Sequence, residues 1–413
     1  MIRVAIIGAG AAGCFCAIEA ARRHPGWSVT VYEAGRKPLA KVAVTGGGRC
    51  NLTNSFAEVT DLRQVYPRGH RLMGRLFYRF NHEDTWRWFE TEGVPLVLQE
   101  DQCVFPASQD AMQIVRILQE RMREAGVQVR CNHKLTLLSK AQADGPWQLR
   151  FSDDHIIEAE MVVITTGGSP SSRGLAFLDG MDLALVAPVP SLFTFRIPDA
   201  PRQLMGTVIK QAGTSLAGTK YKAEGPLLVT DWGMSGPAIL KLSSHAARYL
   251  AEKNYQATLR VSWLGDATAE QACEKVRRLG SPGPQKQVAS VHPEELTGRL
   301  WAFLLERAGL RPDIRFAELG SKGLNRLAQI LTADTYAITG RAAFQEEFVT
   351  CGGVSLSEVN ANTLEAKRFP GLFFAGEVLD IDAVTGGFNL QAAWTCGYTV
   401  AASLAASSCV IPG

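Results

Sequence analysis

"VAIIGAGAAGCFCAIEA", residues 4–20, sets a four-residue apolar run directly against three glycines spaced G-x-G-x-x-G and then begins a helical pattern. Val4 to Ile7 reads as a parallel strand buried on both faces. Gly8 allows the tight turn, Gly10 lets backbone approach a diphosphate, and Gly13 lets the following helix pack close to the strand. That helix, over roughly 11–23, offers free N–H groups and the positive end of its dipole to an anion. His24, Pro25 and Gly26 supply its stop signal.

The next strand, "WSVTVYE", ends in Glu33, twenty residues beyond Gly13. A carboxylate there can accept hydrogen bonds from both hydroxyls of an adenosine ribose, and it would repel a 2′-phosphate. The turn therefore suits FAD or NAD rather than NADP. A glycine-rich turn holding no nucleotide is the bland alternative.

Two further segments favour the longer ligand. "KVAVTGGGRCNLTNS", residues 41–55, carries three consecutive glycines, which read as a loop lying against a flat or phosphorylated ligand rather than as an element interior. Arg49 could neutralise a diphosphate and Asn51 could bond ribityl or ring atoms. Near the C-terminus, an apolar strand, 372–375, breaks at Gly376-Glu377, and after "TGGFNLQ" a helix starts near Asn389. A ligand gripped at both ends of the chain is long. FAD fits, with its diphosphate at the first helix, its ribityl chain near Gly376 and Glu377, and its ring against the last helix.

"TGGGRCNLTN" (45–54), "FVTCGGVSLSEVN" (348–360) and "GLFFAGEVLDIDAVTGGFNLQAAWTCGY" (371–398) resemble the bacterial flavoprotein family that includes aminoacetone oxidase and the bile-acid 4,6-reductase. With the intervening pattern the likeness spans nearly the whole chain. It implies an α/β fold: a Rossmann-like FAD-binding domain of glutathione-reductase type, with an inserted β-barrel-like domain and a small helical domain. The implied FAD contacts begin with Gly8, Gly10, Ala11, Ala12 and Gly13 at the first turn, Glu33 and Ala34 after the second strand, and Lys41. They continue through Gly48, Arg49, Cys50 and Asn51 in the glycine loop, and end with Gly376, Glu377, Gly387, Phe388, Asn389 and Leu390. Leu135 is expected to bracket adenine with its backbone, and Thr166 and Gly167 lie at a strand's C-terminal end, where open α/β sheets bind ligands.

Departures from the family pattern fall away from these positions. "SPSSRGLAFLDG" (169–180) stands where a serine-tyrosine-proline and a T-G-S-T-G-D-G run are usual, and "VTDWGMSGP" (229–237) has Asp231 and Trp232 where a histidine commonly follows the threonine. Leu39-Ala40 replaces the usual glycine and basic residue before Lys41. These changes bear on the substrate rather than on FAD.

The texture of the chain divides it into 1–190 with 350–413 as the FAD domain, 191–265 with 336–349 as the barrel-like domain, and 266–335 as a helical insert. Residues 126–140, 146–153 and 159–168 read as strands. "SGPAILKLSSHAARYLAE" reads as a helix starting at Ser235 or Gly236, with Pro237 in its first turn. Only one G-x-G-x-x-G is followed by a distant acid, so a nicotinamide donor would bind transiently over the flavin, and oxygen is the other candidate redox partner.

At 413 residues, 46% hydrophobic and 20% charged, the composition is that of a globular protein with several cooperating domains. A net charge of +3 gives no general reason to expect nucleic acid, so such a partner would need a local patch. No apolar stretch approaches the roughly eighteen residues that cross a bilayer. The nine cysteines are scattered without a C-x-x-C pair, which predicts reduced thiols in a cytoplasmic protein and neither a disulfide-reductase motif nor a zinc ribbon. The seven histidines likewise form no metal-binding spacing.

Catalytic residues do not follow from these patterns. Cys50 and Cys351 are candidates near the flavin, although isolated cysteines usually act as small buried hydrophobes. Asp380 and Asp382 could serve as ribityl contacts or a base, and equally as turn formers. Asp231 is a weaker case, and His245 reads as a surface residue. "RQVYPRGHRLMGRLFYRF" (63–80) interleaves five arginines with aromatics and no acid. It could hold RNA, could meet an anionic substrate, or could simply be an amphipathic helix with a solvated arginine face. Two functions stand against each other: an FAD-dependent oxidoreductase moving hydride between a small organic molecule and flavin N5, and a flavin-containing RNA-associated protein in which FAD is structural or sensory. The near-neutral charge favours the enzyme.

Overall fold

A computed structural model describes residues 1–140, 145–169, 171–342 and 349–408. The chain divides into two compact units, 1–190 with 349–413 and 191–348.

In the first unit the run at residues 3–7 becomes strand β1 (Arg3–Ile7), and the glycine turn leads into helix α1 (Ala11–Arg23). Strands β2 (Ser28–Tyr32), β3 (Gln128–Arg130), β4 (Met161–Ile164) and β5 (Leu372–Phe374) join β1 in one sheet, in the order β5-β4-β1-β2-β3. Every pairing is parallel. The order reverses at β1, and in open α/β sheets the crevice beyond the strand ends at such a reversal is where ligands bind.

β1, β4 and β5 are short and almost wholly buried, as continuous aliphatic runs require of strands covered on both faces. α1 is buried along most of its length because it lies between the sheet and the C-terminal helix α3 (Phe388–Ser408). Between them in chain order comes the short helix α2 (His70–Leu76). Phe15 of α1 packs its ring 5.4, 4.7 and 5.5 Å from those of Phe80, Trp88 and Trp394.

The segment 126–140, read as one strand, forms β3 and a separate strand Leu135–Lys140. Asn132 between them takes a left-handed φ of 60°, and its N–H bonds the Gly35 carbonyl, so the chain leaves the parallel sheet to enter a three-stranded antiparallel meander with Trp147–Phe151 and Ile156–Ala159.

The second unit holds a seven-stranded antiparallel sheet running from Asp334–Ile338 at one edge to Gly340–Arg341 at the other. Helix Pro237–His245 starts with its proline in the first turn after Gly236. Three amphipathic helices, Ala269–Gly280, Gly298–Arg307 and Gly320–Ala333, belong to this same unit. Its core contains a fully buried carboxylate, Asp334, which accepts from Arg307 Nε (2.7 Å), Tyr336 Oη (2.5 Å) and Trp263 Nε1 (3.2 Å). Asp231 and Trp232 are exposed in this unit, and His245 is half-buried at its helix end rather than on the open surface.

Among the described residues no helix is long and apolar enough to cross a membrane, and no group of three or more His, Cys, Asp or Glu could hold a metal ion.

Candidate cofactor site

The turn after β1 is shaped by sterics that differ at each of its glycines. Gly8 has φ 109°, and a Cβ there would meet the Thr165 carbonyl oxygen at 2.5 Å. A Cβ on Gly13 would lie 2.0 Å from the Gly8 carbonyl oxygen. A Cβ on Gly10, by contrast, would meet nothing within 4 Å. The protein's own packing accounts for the outer two glycines, and Gly10 opens onto free space where a diphosphate would come against the backbone. α1 begins at Gly10 with no side-chain cap and no acid in its first turn, so the amides of Ala11, Ala12 and Gly13 are oriented for an external anion. Thr165 closes the turn from β4, its Oγ1 donating to the Ile7 and Gly8 carbonyls at 3.0 and 2.7 Å.

Glu33 follows β2 half-buried, and its two carboxylate oxygens accept the Ala9 and Gly35 N–H groups at 2.8 and 2.7 Å. Each oxygen retains a lone pair for a ribose hydroxyl. Ala34 beside it is exposed. The His133 N–H bonds the Glu33 carbonyl at 2.8 Å, which sets residues 133–135 next to this corner, although Leu135 itself is buried and paired with Phe151.

The N- and C-terminal segments meet. Lys41 Nζ lies 3.6 Å from Glu377 Oε2, and Glu377 Oε1 accepts the Thr350 N–H at 2.7 Å. Gly376 sits against Ala12 so closely that its Cβ would be 3.0 Å from the Ala12 methyl. Thr166 is exposed and Gly167 half-buried beyond β4, beside Glu377. In the glycine loop, Gly48 faces open space and Arg49 is exposed, stacking 4.5 Å from the Phe105 ring centre. Asn51 sits beside α3: oriented to satisfy both ends of its amide, it donates to the Thr53 carbonyl (3.0 Å) and accepts the Gly387 N–H (3.2 Å). At Gly387, φ is 88° and a Cβ would meet the Thr53 carbonyl oxygen at 2.2 Å, so only glycine allows this approach. Leu39, where the family pattern has glycine, takes a left-handed φ of 59° with its side chain buried.

Several predicted contacts face inward. Cys50 is fully buried and burial pushes its thiol up to about 12, as for an isolated cysteine that packs as a small hydrophobe. Phe388 is buried, edge-on to Phe56 at 5.1 Å. The Asn389 amide clips the preceding loop, accepting the Ala383 N–H and donating to the Ala383 carbonyl, both at 2.9 Å. Leu390 is half-buried. Cys351 is buried in strand Val349–Val354, and Asp380 Oδ1 accepts the Gly352 N–H at 3.0 Å.

Other site residues carry no sequence motif. Arg68, from the arginine-rich stretch, makes a two-pronged, largely buried ion pair with Asp382, so it is not part of any solvent-facing basic surface. The same strap of chain bonds the loop before α3 through Val384 N–H to Val65 carbonyl (2.9 Å) and Tyr66 Oη to the Phe388 carbonyl (2.8 Å). Asn54 Nδ2 donates to the Gly386 carbonyl at 3.0 Å beside a groove of about 510 Å³ lined in part by Asn54, His82 and Trp86. Buried Thr53 Oγ1 donates to Gln391 Oε1 (2.6 Å), and Gln391 donates to Thr395 Oγ1 (3.0 Å). The spacing of Gln391, Thr395, Thr399 and Ser403, every fourth residue in an otherwise apolar helix, was the legible sign of that polar stripe.

The HI0933-like protein Rossmann domain family matches residues 2–403. The chain is 28% identical over 411 residues to a 3-dehydro-bile acid delta(4,6)-reductase of Clostridium scindens, covering 96% of this chain and 98% of that protein. It is 29% identical over 413 residues to a ribosomal RNA dihydrouridine synthase of Escherichia coli, covering 97% and 98%. Among solved structures, E. coli quinol fumarate reductase (TM-score 0.52, 15% identity, 100% of this chain and 72% of that one) has a similar fold. So does a 3-ketosteroid-delta4-(5alpha)-dehydrogenase from Rhodococcus jostii (TM-score 0.51, 14% identity, 98% and 97%). A match across nearly the whole length, on a 3-2-1-4-5 parallel sheet with an open first turn, makes this chain a member of the HI0933-like family of FAD-binding Rossmann flavoproteins, and an FAD-dependent oxidoreductase.

Proposed function

We propose that this protein reduces a carbon–carbon double bond conjugated to a carbonyl in an organic substrate. One observation carries the reading: two relatives aligned over almost their full lengths are named for different substrates and one chemistry. A delta(4,6)-reductase of a 3-dehydro bile acid and a synthase of dihydrouridine both add two hydrogens across an unsaturation activated by a carbonyl. FAD, when bound and reduced by a two-electron donor, would supply the hydride for such a reduction.

The chain's own residues do the holding. In the tight turn that Gly8 allows, Gly10 and the amides of Ala11 to Gly13 would receive the diphosphate, and Glu33 with Ala34 would take the adenosine ribose while residues near Leu135 would border adenine. Arg49 would neutralise the diphosphate, and Lys41 and Glu377 would border the ribityl chain together with Thr166, Gly167 and Gly376. The opening of α3 at Gly387, fixed by Asn51 and Thr53, would offer the positive end of its dipole to the flavin ring and favour negative charge there. Asn389, through Ala383, and Phe388, through Tyr66, shape that opening from inside. A nicotinamide donor would bind transiently to recharge the flavin; oxygen would make the protein an oxidase instead.

Anaerobically reduced protein, mixed with a 4,6-dien-3-one steroid, with a uridine-containing oligonucleotide, or with oxygen, separates these cases by the rate at which visible flavin absorbance returns. Reoxidation by a conjugated carbonyl faster than by oxygen supports the reading. Reoxidation by oxygen alone contradicts it.

A further inference from the structure

Between Asp61 and Glu83 the chain carries five arginines and no acid. The structure sorts these arginines into two classes. Arg63 is bonded to Asp61, and Arg68 is buried against Asp382. Arg71, Arg75 and Arg79 are exposed, and none of the ion pairs among the described residues includes them; Arg79 Nη1 reaches only as far as Ser403 Oγ, at 3.5 Å.

Helix α2 buries Leu72, Met73 and Leu76 on one side. Arg71 and Arg75, at i and i+4, share the other, with their Cβ atoms about 5–6 Å apart. Like charges so placed destabilise a helix by about 0.2–0.5 kcal/mol, and among the described residues no ion pair relieves them. Tyr78, in the turn that follows, is 94% exposed. Arginines in a row beside an outward-facing aromatic ring match a single nucleic-acid strand, whose phosphates repeat along the backbone and whose bases stack on a flat side chain. A small anion would use one arginine and would leave Tyr78 without a partner.

The location gives the face a purpose. The strap that leads into α2 is the one that bonds the loop before α3 through Val65, Tyr66 and Arg68. The basic face is therefore built on the segment that borders the proposed ring end of the cofactor site. The modest net charge of +3 does not oppose this, because a local patch acts over about a Debye length, roughly 8 Å at physiological salt.

We propose that Arg71, Arg75, Arg79 and Tyr78 form a docking face for single-stranded RNA. The proposal stands on this surface alone and is tested without turnover, so it survives or falls separately from the reductase reading.

The test is fluorescence anisotropy of the FAD-loaded full-length protein with a labelled oligouridylate, from low to physiological salt. Each phosphate contact on a single strand contributes about 0.7 to the log–log salt slope, so Arg71→Gln with Arg75→Gln should flatten it by about 1.4. Tyr78→Ala should weaken binding by about 5-fold or more, the lower range for one stacked base. Arg123→Gln, an exposed side chain on helix Ala111–Glu124 of the same unit, should change nothing. Arg75→Glu serves as a second variant, and unchanged melting curves show that all of these fold. Absence of RNA binding at low salt, an unchanged slope in the double variant, or binding to phosphatidylserine vesicles in place of RNA would each overturn the proposal.

Discussion

A methyl group on Gly397 would lie 2.7 Å from the Ala12 carbonyl oxygen, so α1 and α3 pack backbone against backbone. That contact sets the first turn beside the last helix. Gly397→Ala must part the two helices and should cost about 1–3 kcal/mol, as overpacking does. FAD affinity should fall with it, because the two helix beginnings would no longer keep their spacing. Thermal melts with and without added FAD check both effects.

The glycines of the opening turn should separate folding from cofactor binding. Gly10→Ala adds a methyl group where the protein has open space, so it should fold with near-native stability and bind FAD at least about 10-fold more weakly. Gly13→Ala places its methyl group into the Gly8 carbonyl and should fail in both assays. Circular dichroism melts and FAD fluorescence titrations of the two variants give the comparison.

Arg68 and Asp382 form a buried pair across residues 314 apart in sequence. Asp382→Asn or Arg68→Met alone strands the other group and should cost about 3–5 kcal/mol, whereas replacing both with apolar residues should recover a large part of that. Denaturant unfolding of the two single variants and the double variant measures the coupling.

His82 stacks on Phe56 at 4.8 Å, and burial lowers its pKa although Glu83 and Asp84 pull the other way. A histidine held below its unfolded value of about 6.5 binds more protons when unfolded. Its share of stability is therefore full above about pH 6.5 and is lost as pH falls through the folded value. His82→Phe should flatten the acid side of the stability–pH curve, read by unfolding free energies from neutral to mildly acidic pH.

How much of this was legible depended on sequence distance. β1, the turn and Glu33 lie within one local unit, so the 3.6-residue and two-residue periodicities with the glycine spacing were enough. The Arg68–Asp382 pair joins distant segments, and nothing in "RQVYPRGHRLMGRLFYRF" marks one arginine for burial and its neighbours for solvent. Asn389 has a residue type suited to ring contact, yet its amide is taken up by residues 383 and 384, a local turn that composition does not reveal. Cys50 followed the ordinary rule for an isolated cysteine, buried and protonated. In the second unit amphipathic spacing announced the helices, but not the Asp334 cluster, whose partners come from a helix, from Asp334's own strand and from the loop after another strand.

Backbone amide hydrogen exchange, compared with and without FAD, tests the convergence of the two chain ends most directly. One extended dinucleotide held as proposed should slow exchange together at residues 10–14 and at residues 386–391, with protection also near Glu33. Protection confined to the first turn, with residues 386–391 unchanged, would contradict it.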